Sequence, residues 1–135
     1  MLYLALLIVI FSLFLNSAWG KGKLGEFAVK RQLNKLPETQ FTCWHDLTIQ
    51  LDDGSTQIDH VVIGERGIFV IETKNLSGWI FGSERQKMWT QKIHKNHSQK
   101  FQNPLHQNYR HQKALEALLD IPIEHIHSVI VFTHS

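Results

Sequence analysis

A mixed α/β sheet with helices packed against it is the fold class that this chain predicts, and three observations predict it. Three β-patterned runs follow one another with only short turns between them: Phe41–Leu51, Thr56–Gly64 and Gly67–Lys74. Helix-patterned segments flank them, one over Leu24–Leu36 and one opening at Asn103-Pro104. A short apolar strand, Ser128–Thr133, comes after the second helix. This order is that of a strand meander with helices covering it. The 135 residues, 43% of them hydrophobic, suit one domain with a modest core rather than two.

The N-terminus stands apart. Leu2–Leu15 carries no charge, and Asn16-Ser17-Ala18-Trp19 extends it before Lys21 and Lys23. A secretory signal also has a short apolar region with a small-x-small cleavage site, and Ala18-Trp19-Gly20 fits that pattern. A membrane anchor needs about 17–25 mostly apolar residues, and residues 2–19 reach that length with Trp19 at the interface. Charge favours the anchor. No lysine or arginine precedes the segment, whereas Lys21, Lys23, Lys30 and Arg31 follow it, so the rest of the chain is expected on the cytoplasmic side. The lone cysteine agrees with a reducing compartment. Gly20, Gly22 and Gly25 then predict a flexible joint over residues 20–25.

Val29, Leu33 and Leu36 form the apolar stripe of the first helix, which Pro37 ends. Glu26 lies at the border of that stripe and points along its inner side. Asp52-Asp53-Gly54-Ser55 turns the Phe41 strand into the Thr56 strand. The run Ile68-Phe69-Val70-Ile71 predicts a central strand buried on both faces. Asn75–Gly82 reads as a glycine-punctuated connection, and Glu84–Ile93 includes a strand around Trp89. Asn103 is an N-cap with proline at the first helical position, and the helix runs to about Leu119. One of its faces carries Leu105, Leu115 and Leu119; another carries Gln107, His111, Ala114 and Leu118. The last strand is expected to be buried. It ends two residues before the end of the chain, and a truncated form is therefore the expectation.

The net charge is +2 and the isoelectric point about 8.8, so affinity for nucleic acid has to come from a local patch. Arg85, Lys87, Lys92, Lys95 and Lys100 form that patch, with Glu84 as its only acid. Its basic residues suit phosphates, and Trp89 or Trp79 suits base stacking; a solvated loop with a buried tryptophan explains the composition equally well. Cys43 is the single cysteine, which excludes an internal disulfide and a Cys/His zinc framework. The pairs His94/His97 and His125/His127 lack a third ligand in sequence and read as surface loop or strand edge.

The turn Gly64-Glu65-Arg66-Gly67 sets a register. Gly64 pairs with Gly67, Ile63 with Ile68, and by continuation Asp59 with Glu72. Directly opposed side chains share a sheet face, and Lys74, two residues beyond Glu72, shares it too. Opposed like charges destabilise a hairpin, unless a cation lies between them. Carboxylates suit a hard cation such as Mg²⁺ or Mn²⁺, which takes one or two of them and keeps several waters. Such an ion polarises a phosphoryl group and acidifies bound water. Lys74 is then placed to orient or deprotonate the water, or to stabilise charge on the phosphate. Glu26 offers a third carboxylate from the helix side, for one metal ion or two. The alternative is a solvated strand face with a Glu72–Lys74 ion pair worth about 0–1 kcal/mol, but one lysine does not neutralise two acids. His60, next to Asp59, points to the opposite face and is expected to be structural or supporting.

These residues also carry a resemblance. Asp59 followed by Glu72-Thr73-Lys74 resembles the acid-then-Glu-x-Lys signature of PD-(D/E)XK nucleases, with Ile58 where the superfamily's name has proline. Leu24-Gly25-Glu26, QIDHVVIGERGIFVIETKN, a tryptophan-containing segment and NPLHQNYRH together resemble the nuclease-related domain (NERD) family from about Gly22 to Thr133. The resemblance implies a restriction-endonuclease-like mixed sheet flanked by helices, preceded here by the apolar anchor helix. It also implies Mg²⁺ and cleavage of nucleic acid, DNA rather than RNA. It assigns active-site roles to Glu26, Asp59, Glu72 and Lys74. Gln107 resembles the first residue of a Gln-x-x-x-Tyr motif, with His111 in place of the tyrosine; both would contact a phosphate or hold the lysine. The chain is thus expected to divide into an anchor or signal peptide (1–19), a joint (20–25) and a nuclease-like domain (26–135). A nucleic-acid-binding module with an unused site, and an interaction protein on a nuclease scaffold, are the alternatives. The retained acids and Lys74 favour the enzyme.

Overall fold

Ser17 divides the N-terminal stretch into two helices. In the computed structural model, which describes residues 2–134, α1 runs over Leu2–Asn16 and α2 over Ala18–Leu33. The Ser17 hydroxyl accepts the Gly20 amide hydrogen bond at 3.0 Å and caps α2, and the two axes bend by 75°. The single anchor helix expected through Trp19 is thereby corrected. The 15 residues of α1 rise only about 22 Å, against a hydrocarbon core of about 30 Å. Among the described residues no single helix is long and apolar enough to cross a membrane; α1 and α2 qualify only as a bent pair.

The strands are β1 (Thr42–Leu51), β2 (Gly54–Gly64), β3 (Gly67–Asn75), β4 (Trp79–Phe81), β5 (Met88–His94), β6 (His97–Gln102) and β7 (Ile126–Thr133), with α3 (Pro104–Leu119) between β6 and β7. The larger sheet has the order β1-β2-β3-β7, with β7 parallel to β3 and the others antiparallel. Successive side chains of β3 face opposite ways. Ile68 and Val70 join a core with Ala114 and Leu115 of α3, whereas Phe69 and Ile71 join one with Val29 of α2. The two helices therefore cover opposite faces, and β3 is the buried centre, as its apolar run predicts.

The joint expected over residues 20–25 lies within α2 and is corrected as well. Gly25 serves contact rather than flexibility: a Cβ there would come within 2.7 Å of the Asn75 and Thr133 side chains. Glycine lets α2 settle onto the ends of β3 and β7. The helix also ends earlier than predicted, at Leu33 with Asn34 as its C-cap, so Leu36 packs from a turn.

Three further expectations change. The connection after Asn75 contains β4, and β6 follows β5, forming a separate antiparallel sheet of order β4-β5-β6. Strand β7 begins at Ile126 and is a partly exposed edge strand rather than a buried one. The buried face of α3 is Pro104, Asn108, His111, Ala114 and Leu115, while Leu118 and Leu119 are exposed.

The N-cap at Asn103 is as predicted, and it does more than cap. Its Oδ1 accepts from the Leu105 amide at 2.9 Å, and its Nδ2 donates to the carbonyls of Ser83, Glu84 and Gln86. The residue is fully buried and ties the loop before β5 to the start of α3. Asn103→Ala is expected to cost about 2–4 kcal/mol, the sum of a lost cap and orphaned carbonyls. Asn103→Asp keeps the cap acceptor but turns a buried carboxylate oxygen toward three carbonyls, and should cost at least as much. Urea unfolding of the three proteins checks the order.

Candidate active site

The β2-β3 ladder runs from Gly64↔Gly67 to His60↔Ile71, in the predicted register. It stops one step short of Asp59 and Glu72. Instead, the Asp59 Oδ2 accepts the Thr73 amide hydrogen bond at 2.8 Å. On the other side, β1 pairs His45 with His60 and Leu47 with Ile58 but skips Asp46, whose φ is +54°. The hairpin switches faces here. Cys43 and Val62 belong to the core under α2, whereas Leu47 and Ile58 belong to the core under α3, although each pair is separated by an even number of residues. Asp59 lies at this switch, where neither neighbouring strand pairs with it and its carboxylate is free to turn toward the end of β3.

That end opens into a cleft of about 450 Å³. Its walls carry Lys23 and Glu26 from α2, Gln57 and Asp59 from β2, Glu72 and Lys74 from β3, and Gln107 from α3, with Trp19 at the rim. The four residues assigned catalytic roles by resemblance therefore line one cavity. Lys74 Nζ donates to Glu72 Oε1 at 2.7 Å and to Gln107 Oε1 at 2.9 Å, so Gln107 holds the lysine. His111 is buried beneath Glu72 and open to no phosphate: its Nδ1 lies 3.8 Å from Glu72 Oε2 and 3.3 Å from Asn108 Oδ1. Burial, with the Lys74 charge, pushes the His111 pKa down to about 4. The neutral ring then donates to Asn108, which in turn donates to the Val70 carbonyl and to Ser128.

The cleft is short of positive charge. Burial, then the charge of Glu72, raises the Asp59 pKa to about 7, against the pull of the Thr73 amide. Burial raises Glu72 as well, offset in part by Lys74. Glu72 is 2% exposed, and its Oε2 has no hydrogen-bond partner among the described residues. Glu26 is turned toward Lys23, whose Nζ lies 2.6 Å from Glu26 Oε2 and 3.3 Å from Asp46 Oδ1. Among the described residues, no three His, Cys, Asp or Glu side chains stand together as a ready metal cage.

Lys23, Asp46 and Gln57 are residues that sequence reasoning missed. Lys23 and Glu26 have the i, i+3 spacing of a helical ion pair, but that signal is readable only once the glycines are assigned to the helix. Asp46 gives no sequence signal, since it sits inside a continuous β-patterned run. His60, as predicted, serves structure: its Nδ1 meets His45 Nδ1 at 2.9 Å, and burial brings its pKa down to about 4.

The basic residues proposed for nucleic acid lie on the small sheet. Arg85 and Lys87 sit in or beside the turn before β5, Lys92 on β5 and Lys95 in the turn to β6, all exposed. Trp89 is engaged by protein. Its ring rests against Gly82, stacks near-parallel on Phe132 with centroids 6.4 Å apart and meets Phe101 edge-on. Its Nε1 donates to the Ser83 carbonyl at 2.9 Å. Trp79, by contrast, is 73% exposed.

Residues 21–133 match the pattern of the nuclease-related domain. The chain belongs to the nuclease-related domain family. That family lies within the PD-(D/E)XK nuclease-like superfamily, whose acid-then-Glu-x-Lys order is present here as Asp59, Glu72 and Lys74. Over 101 residues the chain is 52% identical to an uncharacterized protein of Bacillus anthracis, an overlap covering 74% of this chain and 47% of that protein. The matched region thus spans about half the length of this curated relative. No solved structure matches the chain.

Proposed function

We propose that this nuclease-related domain hydrolyses phosphodiester bonds of nucleic acid, DNA in preference to RNA, with Mg²⁺ or Mn²⁺ held by Asp59 and Glu72. One observation carries the reading: two carboxylates, Asp59 with its pKa raised to about 7 and the nearly buried Glu72, line one cleft together with Lys74. Two carboxylates with room for water suit Mg²⁺. Such an ion, when bound, would neutralise the pair and polarise a phosphate. Glu26 would join as a third ligand on release from Lys23. Lys74, held by Glu72 and Gln107, lines the cleft with one N–H left over from those two bonds, and would orient a water or stabilise charge developing on the phosphate. The Asp59–Thr73 bond keeps the first carboxylate aimed at the same space.

The alternative, a non-catalytic binding module on a nuclease scaffold, draws support from the Lys23–Glu26 pair, which leaves the carboxylates dispersed. A cleavage assay separates the two. Labelled DNA is incubated with the full chain in detergent, with Mg²⁺, with EDTA, and with Asp59→Ala. Cutting only in the first condition is expected. Cutting that survives both EDTA and Asp59→Ala rejects the enzyme assignment, and equal DNA binding in all three without cutting selects the module.

We propose separately that α1 tethers the chain to a bilayer by burying its apolar surface in lipid, without spanning it as a single helix. Its apolar side chains are exposed on all sides, Tyr3 at 82% and Leu13 at 68% among them, and a helix apolar all round needs cover. Lys21, Lys23, Lys30 and Arg31, which follow it, then favour the anionic cytoplasmic leaflet, with the domain on that side. Removal by signal peptidase, with a secreted or periplasmic domain, is the alternative. Liposome flotation of the full chain and of a chain lacking residues 2–16 tests the tether: only the full chain should float.

A further inference from the structure

Strand β4 carries an exposed aromatic pair. Trp79 and Phe81 are two residues apart and so share one face, and they are 73% and 53% exposed. Trp79 on β4 pairs with Lys92 on β5, which places the two side chains on the same face. Trp79, Phe81, Lys92 and Lys95 line a single groove of about 420 Å³ with Ile93 and His94. Between Gly82 and Gln102 the chain carries Arg85, Lys87, Lys92, Lys95 and Lys100 against Glu84 alone.

The groove is held at a fixed place relative to the cleft. Asn75 and Leu76 line the cleft, and only residues 76–78 separate Asn75 from Trp79, a reach of at most about 14 Å. The link is pinned. Buried Gln91 donates to the Ser77 carbonyl at 2.8 Å and accepts from Gln99 at 2.6 Å. Gly78 has φ +83°, and a Cβ there would come within 2.3 Å of the Lys92 carbonyl oxygen.

We infer that Trp79 and Phe81 form a stacking platform for unpaired bases, with Lys92 and Lys95 on the adjoining phosphates, so that the substrate enters the cleft as a single strand. This rests on the proposed nuclease reading and adds the substrate class. Flat exposed rings accept any base face, whereas the bases of a duplex are stacked on one another and present none. Rings interleaved with lysines are the arrangement that single-strand binders use, and the local excess of positive charge complements a polynucleotide rather than an acidic-poor apolar partner.

The test measures binding apart from cutting. The full chain in detergent and EDTA is titrated into a fluorescent oligothymidylate and into a blunt hairpin duplex. Trp79→Ala/Phe81→Ala is expected to weaken single-strand binding about tenfold or more, with duplex binding and thermal stability unchanged because both rings are exposed. Lys92→Gln/Lys95→Gln should weaken both and flatten the salt dependence. Single-strand affinity unaffected by loss of both rings overturns the platform, as does an aromatic variant that instead loses binding to vesicles of anionic lipid. Failure of the nuclease reading is separate: binding would then depend on the rings while no Mg²⁺-dependent cutting occurs. Failure of the platform alone leaves cutting intact with unaltered affinity in the aromatic variant.

Discussion

Asp59→Asn is expected to abolish Mg²⁺-dependent cleavage, by about 10³-fold or more, while leaving the fold intact and more stable above pH 7. The asparagine Oδ1 still accepts the Thr73 amide hydrogen that Asp59 holds at 2.8 Å. It removes a carboxylate whose pKa is raised to about 7, first by burial and then by the Glu72 charge. The unfolded chain releases that proton near pH 4, the folded chain near pH 7. Folding therefore holds an extra proton across this window, and the contribution of Asp59 to stability is lost as pH rises through 7. Replacing it should add on the order of 1–2 kcal/mol at pH 8, after discounting for partial solvent contact, or a few degrees in Tm. Linkage gives a second readout. Metal binding to the wild type near pH 7 should release a proton and weaken as pH falls, and the asparagine variant should show neither effect. Thermal unfolding at pH 5 and pH 8, with proton release in weak buffer, checks both.

Lys74→Met is expected to separate catalysis from stability. Its ammonium bridges Glu72 and Gln107, and Glu72 is nearly inaccessible to solvent. Removing the lysine strands a buried acid, at a cost of about 3 kcal/mol, and lowers cleavage by about 10²–10³-fold. Adding Glu72→Gln removes the stranded charge. The double variant should regain most of the stability in urea unfolding and none of the activity. A double variant as unstable as the single one would mean that Lys74 supports the fold through packing rather than through Glu72.

Much of this site was legible before any coordinates. The turn Gly64-Glu65-Arg66-Gly67 sets the β2-β3 register correctly because a two-residue loop leaves little freedom to slip. Asn103-Pro104 marks the start of α3 because cap chemistry is local. The rest depended on tertiary contacts. Gly20, Gly22 and Gly25 read as a joint because glycine weakens isolated helices, yet packing against Asn75 and Thr133 gives Gly25 another purpose. Strand β4 is three residues long, and β6, His-Ser-Gln-Lys-Phe-Gln, is exposed along nearly its whole length. Neither Trp-Ile-Phe nor His-Ser-Gln-Lys-Phe-Gln alternates apolar with polar residues in sequence as a half-buried strand does. The face switch at Asp46 and Asp59 is invisible to period-two reasoning, and the partnership of Asp59 with the Thr73 amide follows from it.

Anomalous scattering from a crystal of the wild-type chain soaked in Mn²⁺ decides whether Asp59 and Glu72 hold a metal ion. A peak between the two carboxylates is expected, absent from Asp59→Asn. A cleft with no peak there, at a Mn²⁺ concentration that supports DNA cleavage, would rule out metal binding by this pair.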